Sequence, residues 1–212
     1  MIGIFQYKKA VYNQKILKSL VYGPKNTQQI AEYIYRNRSI VPLNNLNKNE
    51  VKKIVSTISR HTDKQKGRLC ELETKGYIFR EESLWKLSRK GVCVALTLFN
   101  SIQDVFPFIR MDIVGNIVEE EFLGNREFKR LLNRYLPKEK VKNIFEVAKS
   151  PEILQLWKDY TNELIANGLD LDGVDNEQFT TLMVTKGMAN FFKPDLTRLN
   201  KTLKEYADRY PK

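Results

Sequence analysis

Thr62-Asp63-Lys64-Gln65-Lys66-Gly67-Arg68-Leu69-Cys70-Glu71-Leu72-Glu73-Thr74-Lys75-Gly76-Tyr77-Ile78-Phe79-Arg80-Glu81-Glu82-Ser83-Leu84-Trp85-Lys86-Leu87-Ser88-Arg89-Lys90-Gly91 is the stretch from which the fold of this chain is read. Thr62 or Asp63 can accept from the free N–H groups of a new helix, and Leu69 and Leu72 give that helix an apolar stripe. Gly76 can take the left-handed conformation that ends it, so a helix over Asp63–Lys75 is expected. Tyr77–Arg80 and Leu84–Leu87 alternate around a polar turn, which predicts two short strands paired as a hairpin. Ser88 then caps a further helix reaching Phe99.

Working upstream, Tyr7–Tyr22 suits a first helix, with Val11, Ile16, Leu17, Leu20 and Val21 as apolar positions and Gly23-Pro24 as its stop. Thr27 is expected to cap a second, in which Ile30 and Ile34 share a face and Ala31 admits a close neighbour. After Pro42 and the Asn-rich link Asn44–Asn49, Val51, Ile54, Val55 and Ile58 recur at helical spacing. That stripe continues in phase to Leu69 and Leu72, so one long helix over 50–75 and two shorter ones both fit. The cap residues His61-Thr62-Asp63 favour two. Downstream, helical patterns cover Ile102–Phe122 with a break or start at Pro107, then Arg126–Tyr135, Lys138–Lys149, Glu152–Asn167 closed by Gly168, Asn176–Phe192 capped by Asp175, and Leu196–Tyr210. The fold class is therefore mainly α with a small β-hairpin, and the second half is all-helical.

Charge divides the chain at the same place. Residues 1–90 hold 19 Lys/Arg against 7 Asp/Glu, whereas residues 91–212 hold 17 against 18, so the first part is +12 and the second −1. A basic module carried by a nearly neutral one is the composition expected for sequence-independent attraction to phosphate, and its coincidence with the expected helix and hairpin points to double-stranded DNA as the partner. At 212 residues the chain is long enough for two units, expected at 1–98 and 99–212. No window approaches a membrane span and no signal core opens the sequence, so a cytoplasmic protein with no membrane partner is expected. Cys70 and Cys93 are too few for a disulfide scaffold or a zinc site.

The order of motifs resembles the winged helix-turn-helix family of transcriptional regulators, of the MarR/PadR-like kind. Ile16-Leu17-Lys18-Ser19-Leu20 followed by Gly23-Pro24-Lys25-Asn26-Thr27-Gln28-Gln29-Ile30-Ala31 is similar to the family's first helix, link and capped second helix. Arg68–Ile78 is similar to the end of its recognition helix, and Trp85–Gly91 to its return strand and next helix start. The similarity covers roughly residues 10–100 and departs from the simplest members in the Arg38–His61 insertion, in Gln65 at a usually apolar turn and in acidic Glu81-Glu82 at the wing tip. The resemblance implies an amino-terminal winged helix that reads duplex DNA and a carboxy-terminal helical domain that forms a homodimer, senses an effector, or both.

With Leu69 and Leu72 inward, Lys64, Lys66, Gly67, Arg68, Cys70 and Glu71 fall on or near the outer side of the expected recognition helix, where Lys and Arg can reach guanine or phosphate and Gly67 lets a backbone approach. Arg80, Lys86, Arg89 and Lys90 flank the hairpin as candidate phosphate contacts, while Trp85 and Leu87 are expected to pack inward. His61, the only histidine, excludes histidine-pair metal sites and argues against triad catalysis. Asp170–Glu177 has the start of a calcium loop but places Phe179 where a bidentate Glu is needed, so it reads as a turn and helix cap. Glu119-Glu120-Glu121 point in different directions on a helix. With no P-loop, dinucleotide glycine pattern or nucleophile elbow, the chain is read as a non-enzyme with no catalytic residue, metal ligand or cofactor. The rival reading is a winged-helix protein-protein interaction module in a replication or transcription assembly.

Overall fold

The computed structural model describes Phe5 and residues 10–37, 46–60, 67–108 and 151–191. Helices α1 (Ala10–Val21), α2 (Thr27–Arg36), α3 (Lys48–Ser59) and α4 (Arg68–Thr74) precede an antiparallel hairpin of β1 (Ile78–Glu81) and β2 (Leu84–Leu87). Then come α5 (Arg89–Thr97), the short α6 (Ile102–Val105) running into a 3-10 turn at Phe106–Phe108, α7 (Pro151–Ala166) and α8 (Asn176–Phe191). The described residues are thus mainly helical with one small hairpin, the expected class. The expected helices over 126–135, 138–149 and 196–210 lie outside the described residues, as do His61 and Glu119–Glu121.

Local chemistry explains most boundaries and corrects several. Asn26, not Thr27, is the cap of α2: its side chain accepts from Gln29 N at 2.9 Å while the Gln29 side chain accepts from Asn26 N at 2.9 Å, a reciprocal capping box. Thr27 Oγ1 instead accepts from Trp85 Nε1 at 3.2 Å and so ties α2 to the hairpin. Asn47 caps α3 by accepting from Asn49 N and Glu50 N. Arg60, with ψ 117°, turns extended after α3 and separates it from α4, so the continuous helix over 50–75 does not form. α4 has Gly67 at its amino-terminal cap rather than Thr62 or Asp63. A Cβ on Gly67 would stand 2.6 Å from Arg60 O and 2.9 Å from Ser59 C, so glycine is what lets α4 begin directly against the end of α3. Gly76 ends α4 with φ 71°, and Ser88 caps α5 by accepting from Gly91 N at 3.0 Å, both as expected. α6 stops at Val105, beside the break or start expected at Pro107, which cannot donate the amide that would continue it, and residues 109–122 of that helical pattern lie outside the described residues.

A single core joins these elements. Ile16, Leu17 and Leu20 of α1, Ile30, Ala31 and Ile34 of α2, Val51, Ile54 and Ile58 of α3, and Leu69 and Leu72 of α4 are all buried in it. α5 is buried on every side from Lys90 to Leu96, as a helix enclosed by neighbours must be. α1 packs on one flank of α5 and α7 and α8 on the other, through Leu154, Trp157, Tyr160, Phe179 and Met183. Lys158 of α7 donates to Phe99 O at 2.6 Å and Asn100 O at 2.8 Å, satisfying carbonyls just past the end of α5. The core therefore runs without interruption across residue 98. A backbone bridge between Lys25 and Trp85, closed by hydrogen bonds of 3.2 and 2.8 Å, adds the segment between α1 and α2 to the free edge of β2. Among the described residues no helix is long and apolar enough to cross a membrane.

Candidate nucleic-acid interface

Among the described basic residues assigned from the sequence, Arg68, Lys86 and Lys90 are occupied with the fold. Arg68 Nη1 donates to Glu71 Oε2 at 2.6 Å, one helical turn along α4, and both side chains are less than a third exposed. Cys70 is half-buried, and Gly67 is buried against Ser59 and Arg60, so its missing side chain admits α3 rather than a ligand. Lys64 and Lys66 lie outside the described residues.

The hairpin separates its two cations. Register pairs Phe79 with Lys86 and Arg80 with Trp85, and side chains alternate along a strand, so Arg80 and Lys86 project from opposite faces. Lys86 is ion-paired with Glu81. Arg80 is exposed, its guanidinium 5.7 Å from the Trp85 ring centroid and its Nε donating to Glu82 O at 3.1 Å. Trp85 and Leu87 pack inward as expected. Glu82, with φ 54°, is the first of the two turn residues, a left-handed position that usually selects glycine.

Lys90 is a correction to the phosphate-contact assignment, and Arg89 beside it is half-buried. Lys90 is 1% exposed, and its ammonium donates to Leu171 O at 2.8 Å and Val174 O at 2.6 Å while lying 4.5 Å from the Tyr77 ring centroid. No phosphate reaches it there. Burial lowers its pKa below the ordinary lysine value, with Asp172, Asp175 and Asp170 pulling the other way and Lys75 adding to the lowering. The loop with a calcium-like sequence therefore folds around an ammonium supplied by α5. No group of acidic, histidine or cysteine side chains suited to a metal ion occurs among the described residues.

The open basic surface belongs to α3. Val51, Ile54 and Ile58 face α2 and the core, which turns Asn49, Lys52, Lys53, Ser56 and Arg60 outward at helical spacing, with Lys48 and Thr57 beside them. All seven are exposed, and the Lys53 side chain, although paired with Glu50 at 2.7 Å, is 74% exposed. No large apolar side chain interrupts the row. Four cations and short polar groups along about three helical turns form a surface that can enter a groove of duplex DNA, donating to phosphates and to base edges. Sequence reasoning assigned none of these residues. The signal was present, because the inward stripe Val51-Ile54-Ile58 defines this outward row as its complement.

No family model, curated protein or solved structure matches the chain. The arrangement of helices and hairpin consequently carries the functional reading by itself.

Other lysines show the same division between structure and surface. Lys15 donates to Asn37 O at 2.8 Å and satisfies the end of α2, and Lys18 lies 5.1 Å from the Phe99 ring centroid. Burial lowers the pKa of both, and for Lys15 the neighbouring Lys18 charge adds to the effect. Cys93 is fully enclosed, and burial pushes its thiol up to about 12 against a hydrogen bond with Thr161. It is an inert core residue.

Proposed function

We propose that this protein is a double-stranded DNA-binding transcriptional regulator of winged helix-turn-helix type, in which α3 rather than α4 is the helix that enters the major groove. The observation that carries the reading is the outward row Asn49, Lys52, Lys53, Ser56 and Arg60, fully presented by a helix whose opposite side packs on α2. The order of elements supports it: α1, a short segment bridged to the hairpin, α2, α3, α4, then β1 and β2. Arg80 extends the basic surface at the hairpin, and the carboxy-terminal helices are the part available for a homodimer contact or an effector. In such a dimer two α3 rows separated by one helical turn of DNA, about 34 to 36 Å, read paired half-sites.

Titration of a duplex with the full chain at several salt concentrations tests the proposal. Loss of affinity along a steep log-log slope, close to −0.9 for each phosphate neutralised, is the expected result. No binding at low salt, together with a stable complex with a protein partner, would favour the protein-interaction reading instead.

A further inference from the structure

The root of the hairpin is gripped from two sides by the loop between α7 and α8. Asn176, at the start of α8, donates from Nδ2 to Gly76 O at 2.9 Å and accepts from Lys90 N at 3.1 Å. One side chain thus holds both the chain that leads into β1 and the chain that leaves β2. Tyr77 Oη donates to Asp172 Oδ1 at 2.6 Å, and Ser88 Oγ donates to the same Gly76 carbonyl at 2.6 Å. In the other direction, the Lys90 ammonium fills the loop through the carbonyls of Leu171 and Val174. Gly91 permits this density, because a Cβ there would meet Tyr77 O at 1.8 Å.

Every bond in this set joins residues 76–91 to residues 171–176 or closes the hairpin root on itself. Neither side is held by it alone: the loop needs the Lys90 ammonium for two inward carbonyls, and the hairpin root needs Asn176 and Asp172. Lys90 and Tyr77 are buried, and polar groups so enclosed are costly to leave unmatched, so the contact favours two arrangements, closed or withdrawn, over a graded one.

We propose that Lys90, Asn176, Asp172 and Tyr77 form a latch through which the α7–α8 helix pair sets the pose of the hairpin. An event that displaces the 171–176 loop, such as an effector or a second copy of the chain engaging α7 and α8, withdraws the bonds to Gly76 and Tyr77 and loosens the root of the hairpin, while β2 stays tied to α2 through the Lys25–Trp85 bridge and Thr27. The consequence for DNA rests on the reading in the preceding section, whereas the coupling itself is measured without DNA. Lys90, Asn176, Asp172 and Tyr77 are positioning residues, since none of them belongs to the exposed row on α3.

Backbone hydrogen exchange on the full chain tests the latch. Lys90→Met keeps an unbranched apolar stem and removes the ammonium; Asn176→Ala removes the clamp and keeps the ammonium. In K90M the amides of Tyr77, Ile78 and Ser88 exchange faster together with those of residues 171–174, by roughly tenfold or more, while α2 and α3 stay protected. In N176A, which removes from the α8 side the bonds to Gly76 and Lys90 at the hairpin root, residues 171–174 accelerate in turn. Faster exchange confined to the loop in K90M and to the hairpin root in N176A would overturn the proposal. If K90M does not fold, the N176A result decides by the same criterion. On DNA, K90M is expected to bind several-fold more weakly with the α3 contacts retained. A wild-type chain that binds no duplex sinks the DNA reading and leaves the exchange criterion standing.

Discussion

α3 and α4 are neighbouring helices in the basic half of the chain, and they use their charge in opposite ways. α3 runs for 12 residues, is capped by Asn47 and leaves a complete polar face in solvent. α4 runs for 7 residues, starts against the backbone of α3, ends at the hairpin root, and its Arg68 is closed on Glu71. The same contrast separates Lys52, which points outward, from Lys90, which is enclosed as the cation of a loop. A count of lysines and arginines therefore measures the field of a module, but only packing decides which of them can meet a phosphate.

The contrast can be broken first at Gly67. Gly67→Ala forces a methyl against Arg60 O and separates α4 from α3, so the chain is expected to lose about 1–3 kcal/mol, the range for overpacking a filled site. Thermal unfolding measures it, at roughly 2–4 °C per kcal/mol for a chain of this size. An unchanged melting temperature would mean that the tight α3–α4 approach is unnecessary.

A second test concerns the buried side of the comparison and its pH dependence. Burial, and then the hydrogen bond to Asp172, raise the Tyr77 phenol well above its ordinary value, and burial with the neighbouring Tyr22 raises Tyr33 to about 12. A raised folded-state pKa contributes stability that is fully present below the unfolded value near 10 and is lost as pH rises beyond it. Stability should thus fall from about pH 10 upward. Tyr77→Phe, which also loses one charge-assisted bond at neutral pH, about 1.5–3 kcal/mol, should show a shallower alkaline fall. Denaturant unfolding at pH 8 and pH 11 distinguishes this from a slope unchanged by the substitution.

The smallest effect is expected at the hairpin turn. Glu82→Gly relieves a left-handed non-glycine residue while adding freedom to the unfolded chain, for a net gain of a few tenths of a kcal/mol. It also removes a negative charge from the tip, so DNA affinity at low salt should rise slightly. A fall in both would show that the Glu82 side chain has a partner of its own.

How far the sequence foretold this structure follows from the range of the interactions. α1, the hairpin, the Ser88 cap, the Gly76 and Gly168 terminations and the Asp175 cap rest on neighbours within a few residues, and all were legible. Asn26 outdid Thr27 as a cap because Gln29 answers it three residues on. The start of α4 was hidden because it depends on Gly67 meeting α3 in space. The fate of Lys90 was hidden for the same reason: its partners stand more than 80 residues away. For the proposed interface, the charge asymmetry and the exposed row of α3 fall in the same half of the chain, whereas the family resemblance pointed to the segment directly before the hairpin. The outward row of α3 needed only the complement of Val51, Ile54 and Ile58.

One comparison of duplex affinities bears most directly on the claim that α3 is the reading helix. Lys52→Ala/Lys53→Ala/Arg60→Ala and Lys64→Ala/Lys66→Ala/Arg68→Ala each remove three positive charges, and equal folding of the two is checked by their melting temperatures. The α3 variant is expected to lose about three from the magnitude of the salt slope and roughly a hundredfold in affinity at low salt, with the other variant much less affected. An α3 variant that binds like the wild type, while the Lys64/Lys66/Arg68 variant fails, would contradict it.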